Sequence, residues 1–118
     1  MLITILKSKI YQATVNSKNL NYQGSIEIDE ELMNKADLRE FEKVLVVNIN
    51  NGQRFETYVI KGKKKSKIIS LQGGTARLGE IGDRLIIFSF AHLTNEELEH
   101  FKPTVIKLND KNKIINAK

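Results

Sequence analysis

The stretch KVLVVNINNGQRFETYVI, residues 43–60, decides the fold of this chain. Its first part, Val44–Ile49, is an aliphatic run typical of a strand, and Arg54–Ile60 alternates polar and apolar residues as a second strand does. The Asn51-Gly52 pair between them is a strong signal for a tight turn, because both residues tolerate the left-handed backbone conformation. The stretch therefore predicts a β-hairpin.

The return strand of this hairpin presents two faces, since successive residues of a strand point to opposite sides. Arg54, Glu56 and Tyr58 share one face, and Phe55, Thr57 and Val59 share the other. A guanidinium and a phenol on one face can serve one ligand. An arginine and a tyrosine on a strand also form ordinary surface stacks, so the pattern alone leaves both interpretations open.

Further short strands lie on both sides of the hairpin. Each is rich in β-branched or aliphatic residues: Met1–Ile10 with Ala13–Val15 as its continuation, Ile68–Leu71, Arg84–Phe90 and Thr104–Leu108. Asn16–Asn19 is predicted to be a loop, and a polar tail follows the last strand. Many short strands separated by turn signals predict a mainly β fold with short helices, a small mixed barrel without parallel βαβ repeats.

Two short helices are predicted from their capping residues. Asp29 precedes Glu30–Ala36, whose leading acids suit the positive end of a helix. Thr94 precedes Asn95–Phe101, and Glu97 completes a capping box. Pro103 is expected to end the second helix.

Composition narrows the function classes. The 118 residues, 41% hydrophobic and 28% charged, predict one folded domain over residues 1–118. Cysteine is absent, which excludes disulfides and thiolate nucleophiles, and only His92 and His100 are histidines, so no metal site is expected. The apolar run Leu2–Leu6 is too short for a signal peptide or a membrane span. We expect a cytoplasmic protein.

The net charge of +5 is concentrated in one place. Five lysines crowd a short stretch: Lys61, Lys63, Lys64, Lys65 and Lys67. A solvated hairpin end that discourages edge-to-edge pairing is the simpler interpretation. A basic β-barrel that binds nucleic acid is the alternative, although no aromatic residue lies among these lysines to stack on bases.

A glycine-serine pair lies before an alternating segment. Tyr22-Gln23-Gly24-Ser25 leads into Ser25–Asp29, and a strained backbone at the glycine can bring the serine hydroxyl against the preceding carbonyl. Taken alone, a glycine-serine pair is ordinary turn chemistry. Farther along, Gln72–Arg77 contains small residues that let backbone amides approach a bound group closely.

In order and spacing, these residues resemble the pyruvoyl-dependent aspartate 1-decarboxylase family over nearly the full chain. The features that carry the resemblance are Lys9 in the first strand, Tyr22-x-Gly24-Ser25, the stretch Asn51–Tyr58, the glycine-led turn at Gly73 and the pair Gly82-Asp83. The resemblance implies a double-psi β-barrel and a homotetramer with sites between subunits. It also implies a role in making β-alanine for pantothenate and coenzyme A.

The resemblance implies a self-processing precursor. Ser25 would attack the Gly24 carbonyl, turning amide into ester, and elimination and hydrolysis would leave a pyruvoyl group at position 25. The products would be residues 1–24 and 25–118. Thr57 would polarise the carbonyl during this rearrangement, which is either spontaneous or helped by a maturation factor. A family relative that stays unprocessed is a further alternative.

The same resemblance assigns roles in decarboxylation of L-aspartate through a Schiff base to the pyruvoyl group. Arg54 would bind a substrate carboxylate, Tyr58 would return a proton to the α-carbon, and Lys9 would supply positive charge. The remaining substrate-binding residues would be Thr57, Tyr22, Gln72, Gly73, Gly74 and Thr75. No metal, nucleic acid or membrane is implied. Tyr11 and Gln72 depart from the histidine and asparagine usual in the family.

Overall fold

The structure is a computed structural model and describes residues 1–117. The strands are β1 (Ile3–Thr14), β2 (Ser17–Asn19), β3 (Ser25–Asp29), β4 (Lys43–Asn48), β5 (Arg54–Gly62), β6 (Ile69–Gln72), β7 (Arg84–Leu93), β8 (Thr104–Leu108) and β9 (Ile114–Ala117). The helices are α1 (Glu30–Lys35), α2 (Asn95–Leu98) and a 3₁₀ helix over Gly73–Leu78. The predicted mainly β fold with short helices is confirmed.

The strands of the described chain join in one nine-stranded sheet with the order β2-β6-β3-β5-β4-β7-β1-β8-β9. Inward side chains of alternating strand positions form the hydrophobic core, with Ile10, Val46, Val59 and Ile87 among its buried members. This strongly bent sheet around one core is consistent with a barrel-like fold. Parallel pairs occur between β3 and β5, between β1 and β8, and between β2 and β6.

The predicted hairpin is formed by β4 and β5. They pair antiparallel, with Val47 opposite Arg54 and Lys43 opposite Tyr58. The turn is longer than a two-residue hairpin loop: Asn48 N–H donates to the Gln53 carbonyl at 2.8 Å, and Gly52 has φ +77°. The Asn48 side chain, which is buried, accepts from Asn50 N–H at 2.9 Å and thereby fixes the turn.

The helix caps follow the sequence prediction, but the second helix is shorter than expected. Asp29 accepts Glu31 N–H at 2.8 Å at the start of α1. Thr94 and Glu97 form the predicted capping box, yet α2 ends at Leu98 and not at Phe101. A four-residue helix that buries none of its side chains gains little from packing, so the cap alone sustains one turn.

Two short strands were missed by sequence reasoning. Ser17–Asn19, predicted as a loop, is β2, because its backbone pairs with β6. The polar tail contains β9, which pairs with β8. Both are edge strands at the ends of the sheet, where polar residues are normal and the sequence pattern carries little information.

Candidate active site

The Gly24–Ser25 peptide bond lies where a bent segment enters β3. Gly24 has φ +100°, a conformation that disfavours any side chain. Ser25 is 0% exposed, and its hydroxyl is one of three buried side-chain oxygens without a hydrogen-bond partner within residues 1–117, with Thr14 Oγ1 and Ser89 Oγ. A buried hydroxyl without a hydrogen-bond partner lowers the stability of the folded state by roughly 1–3 kcal/mol. It also keeps its lone pairs free.

The start of the 3₁₀ helix packs directly on this bent segment. Gly73 has φ +70°, and a Cβ added to it would lie 2.5 Å from the Tyr22 carbonyl oxygen and 2.7 Å from Gly24 Cα. Glycine at 73 is therefore required for the close approach. A Cβ at the neighbouring Gly74 would meet nothing within 4 Å, so the constraint is specific to one glycine.

Thr75 and Gln72 hold the backbone next to Ser25. The Thr75 hydroxyl lies 3.0 Å from the Ser25 carbonyl oxygen and 2.9 Å from the Gln72 carbonyl oxygen. Because it has one proton, it donates to one of them at a time. Gln72 is opposite Ser25 in the β3–β6 ladder, and its amide Nε2 donates to Glu27 Oε1 at 3.0 Å and to Ser70 Oγ at 2.7 Å.

Strand β5 runs beside β3 in parallel. Ile26 pairs with Val59, and both point into the core. Continuing this register by one residue sets Tyr58 beside Ser25, with both side chains on the side away from the core. Thr57 is the preceding residue of β5, and its side chain points to the opposite side of the strand from Tyr58. The Tyr58 ring packs on Phe41, with ring centroids 6.3 Å apart.

The side of β5, β4, β7, β1 and β8 that points away from the core is here called the outer face. Its centre is apolar and half-buried: Leu45, Val47, Ile86, Phe88 and Val105. The same face also carries Lys9, Tyr11, Arg54, Tyr58 and Phe90. Cross-strand register sets these side chains in rows, for example Arg54, Val47, Ile86 and Tyr11. No other element of the described chain covers this face with a strand or helix.

Lys9 and Arg54 lie on different strands of the outer face, Lys9 on β1 and Arg54 on β5. Three interstrand steps separate β1 from β5, or about 14 Å at 4.8 Å per step. Lys9 Nζ lies over the Tyr11 and Phe88 rings at 5.5 Å and 5.6 Å, beside a pocket of about 200 Å³ lined also by Val105 and Lys107. Within the described part of the chain, neither Lys9 nor Arg54 forms an ion pair.

One chain thus brings the predicted residues into two groups. The first surrounds Ser25 and contains Gly24, Gln72, Gly73, Thr75, Thr57 and Tyr58. The second is Lys9 on β1, which this chain does not bring to Ser25. Arg54 shares the face of Tyr58 but is four residues away, with Glu56 between them in an ion pair to Lys43 at 3.2 Å. Tyr22 is half exposed on the bent segment, and Gly74 is exposed on the 3₁₀ helix.

Sequence reasoning missed several residues at the site. Glu27 is on the Ser25 side of β3, and the alternation in Ser25–Asp29 was a signal that could have identified it. Ser70 lies opposite Glu27 in the β3–β6 ladder, and the alternation of polar and apolar residues in its own strand could likewise have identified it. Phe41 carried none, because its contact with Tyr58 depends on a loop residue with φ +72°.

The lysine-rich stretch forms a turn whose backbone is held in place. The buried Asp29 carboxylate accepts Lys65 N–H at 2.9 Å and Lys67 N–H at 2.8 Å. Lys61 and Lys67 lie 3.8 Å and 3.9 Å from carboxylates of α1. Among residues 1–117, no helix is long and apolar enough to cross a membrane. The described residues also contain no group of three potential metal ligands.

Comparison with known proteins identifies the family. The sequence model described as aspartate decarboxylase matches residues 1–115 of this chain. The chain belongs to the aspartate decarboxylase family. The aspartate 1-decarboxylase of Caldicellulosiruptor bescii is 57% identical over 115 residues, which cover 98% of this chain and 90% of that protein. Those of Acetivibrio thermocellus and Aliarcobacter butzleri are 55% and 54% identical, covering 100% and 97% of this chain and 94% and 90% of theirs.

Tyr11 and Gln72, the two residues expected to depart from the family pattern, have well-defined surroundings. The Tyr11 ring lies between two ammonium groups, with Lys9 Nζ at 5.5 Å and Lys107 Nζ at 5.6 Å from its centroid. Such contacts stabilise a cation over an aromatic face. The longer Gln72 side chain reaches Glu27 and Ser70. Both substitutions are therefore accommodated by contacts within this chain.

Proposed function

We propose that this member of the aspartate decarboxylase family converts L-aspartate to β-alanine and carbon dioxide, supplying pantothenate and coenzyme A synthesis in the cytoplasm. Relatives that match nearly the whole chain carry the name aspartate 1-decarboxylase. The observation within the chain that carries the proposal is the Ser25 hydroxyl. It is buried, has no hydrogen-bond partner among the described residues, and follows a glycine with φ +100°.

The chain is proposed to be a precursor that cuts itself between Gly24 and Ser25. Ser25 Oγ attacks the Gly24 carbonyl carbon, the C–N bond breaks, and the Oγ proton passes to the freed amine, which gives an ester. Removal of the Ser25 α-proton then breaks the Cβ–O bond and leaves a carboxylate on Gly24 and a dehydroalanine at 25. One water enters, one ammonia leaves, and the products are residues 1–24 and a 25–118 chain with an N-terminal pyruvoyl group.

The surroundings of the bond support this reaction. Glycine at 24 leaves the carbonyl open to the hydroxyl, and the close contact with Gly73 fixes the bent segment so that the attack needs little reorganisation. Thr75, by donating to the Ser25 carbonyl, orients the residue that attacks. Thr57, which precedes Tyr58 on β5, is proposed to polarise the Gly24 carbonyl.

The residues around position 25 also fit a pyruvoyl group. Ser25 is fully buried, so a carbonyl there would be shielded from water, and the backbone amides of Gly73, Gly74 and Thr75 are close by on the 3₁₀ helix. The group supplies a carbonyl that condenses with the substrate amine and takes up the electrons released with carbon dioxide. No metal is required for this chemistry.

Four side chains are proposed to handle the substrate. Arg54 binds a carboxylate through two parallel N–H donors, a geometry that lysine lacks. Tyr58, beside position 25, returns a proton to the carbon that loses carbon dioxide. Lys9 adds positive charge, and Tyr22 lines the pocket. The Gln72 amide borders the same site opposite residue 25.

The active assembly is proposed to be a homotetramer with sites between subunits. Two observations support it. The outer face has an apolar centre that no strand or helix of the described chain covers, and such faces are usually buried against a partner. Lys9 lies about 14 Å, three interstrand steps, from the strand of Tyr58. A second copy over the outer face would let Lys9 of one chain approach residue 25 of another.

The proposal is tested by following β-alanine formation from L-aspartate with chromatography. The wild-type protein is expected to form β-alanine, and Ser25→Ala is expected to form none. Ser89→Ala is the matched control, because Ser89 is also buried and its hydroxyl also lacks a partner among residues 1–117. Turnover by Ser25→Ala, or none by the wild type, would contradict the proposed activity.

A further inference from the structure

Gln72 is the side chain best placed to bind the Ser25 hydroxyl. The two residues are direct partners in the antiparallel β3–β6 ladder, where opposite Cβ atoms lie about 5 Å apart. Both side chains are on the side away from the core, since Ile26 and Leu71 beside them are buried core residues. Gln72 is 7% exposed, so water does not compete strongly for its amide.

Gln72 nevertheless leaves the Ser25 hydroxyl without a partner. A side-chain amide nitrogen has two hydrogens to donate. In Gln72 one goes to Glu27 Oε1 at 3.0 Å and the other to Ser70 Oγ at 2.7 Å. Both donors are therefore used, and none remains for Ser25 Oγ.

Glu27 is the decisive partner of the two. It is two residues from Ser25 on the same side of β3 and opposite Ser70 in the ladder. A carboxylate accepts a hydrogen bond about twice as strongly as a neutral hydroxyl does. Gln72 therefore stays with Glu27 in preference to Ser25.

We infer that Glu27 is a positioning residue for self-cleavage: it draws the Gln72 amide away from Ser25 and so keeps the Ser25 hydroxyl free to attack. An oxygen that accepts a hydrogen bond is a weaker nucleophile, because the attack must first break that bond. Without Glu27, the Gln72 amide turns to Ser25 Oγ and retards the reaction. This inference rests on the proposed self-cleavage at Gly24–Ser25.

The test is a time course of cleavage in freshly synthesised chains, made in a cell-free system and followed by intact mass. Glu27→Ala is expected to slow cleavage about tenfold, the factor that corresponds to about 1.4 kcal/mol for one hydrogen bond. Glu27→Gln, whose neutral amide oxygen still accepts from Gln72 but less strongly than a carboxylate does, is expected to cleave at a rate between those of Glu27→Ala and the wild type. Glu31→Ala, which removes a half-buried carboxylate on α1, is the matched control and is expected to cleave normally.

The double variant Glu27→Ala/Gln72→Ala separates positioning from a general structural role. With no amide left to bind Ser25, its cleavage is expected to return towards the wild-type rate. A double variant as slow as Glu27→Ala would overturn the inference, and so would a Glu27→Ala variant that cleaves normally. If the wild type never cleaves, the proposed self-processing fails and the inference fails with it; if the wild type cleaves, only the inference is at stake.

Discussion

The surroundings of Ser25 and the outer face differ in how complete they are within one chain. Around Ser25, backbone and side chains are fixed by close packing: Gly73 on Gly24, Thr75 on the Ser25 carbonyl and Gln72 on Glu27. The outer face has a half-buried apolar centre, and its charged residues Lys9 and Arg54 form no ion pair within the described residues. The contacts around Ser25 are thus complete within one chain, whereas the outer face still has an apolar surface and charged groups available to a partner.

This difference suggests that the two regions have different functions, self-cleavage around Ser25 and assembly with substrate turnover on the outer face. The groups proposed for self-cleavage all lie in one chain, so we expect cleavage to require no residue of a second copy. Two of the groups proposed to handle the substrate, Lys9 and Arg54, lie on strands of the outer face that are about 14 Å apart. Changes in the first region should therefore affect cleavage, whereas changes on the outer face should affect assembly and turnover while cleavage continues.

The largest effect is expected from a charge at the centre of the outer face. Val47→Glu would bury a carboxylate in the proposed interface, with Arg54 opposite it in the β4–β5 ladder, and removing such a pair from water costs roughly 1–4 kcal/mol per copy. We expect the tetramer to dissociate and turnover to be lost, with cleavage retained. Light scattering measures the assembly state, and a β-alanine assay measures turnover. Ile81→Glu, at an exposed turn residue, is the control. A Val47→Glu protein that remains a tetramer with full activity would contradict the proposed role of the outer face in assembly and turnover.

Arg54→Ala should lower kcat/KM for L-aspartate about 100-fold while cleavage remains normal, because two charge-assisted hydrogen bonds to a carboxylate are lost. Arg54→Lys should recover only part of the activity, since lysine cannot donate two parallel bonds. Steady-state kinetics decides the outcome. Arg39→Ala, beside α1, serves as the control. Normal turnover by Arg54→Ala would remove this residue from its proposed role.

Gly73→Ala tests the close packing around Ser25. The new methyl group would collide with the backbone of residues 22–24, and φ +70° disfavours alanine. We expect a loss of about 2 kcal/mol in the free energy of unfolding, together with slow cleavage. Denaturant unfolding and intact mass provide the measurements. Gly74→Ala adds the same methyl group in open space and should change neither quantity; equal effects from both variants would argue against the close contact.

The smallest effect is expected from Thr75→Val. It removes the hydroxyl that donates to the Ser25 or Gln72 carbonyl but keeps the volume of the side chain. We expect about 1 kcal/mol less stability and a several-fold slower cleavage. The thermal midpoint and a cleavage time course test this. An unchanged cleavage rate with lowered stability would limit Thr75 to a structural role.

The sequence predicted the hairpin, the caps and the mainly β fold, because these depend on local alternation and on turn and cap residues. It did not predict β2 and β9, which are strands only because a neighbouring strand offers them a backbone to pair with. Of the site, the shared face of Arg54 and Tyr58 followed from local alternation, whereas the role of the Gly24–Ser25 pair was predicted through the resemblance to the family, since such a pair alone is ordinary turn chemistry. The Gln72–Glu27 bond did not, since it depends on the β3–β6 register.

The intact mass of the wild-type protein, purified and denatured, tests the central claim most directly. We predict two species, residues 1–24 and a 25–118 chain blocked by pyruvoyl. Both should also form when the outer face of the chain is not bound to another copy. A single full-length chain that persists after prolonged warm incubation would contradict the claim that the groups around Ser25 carry out self-cleavage within one chain.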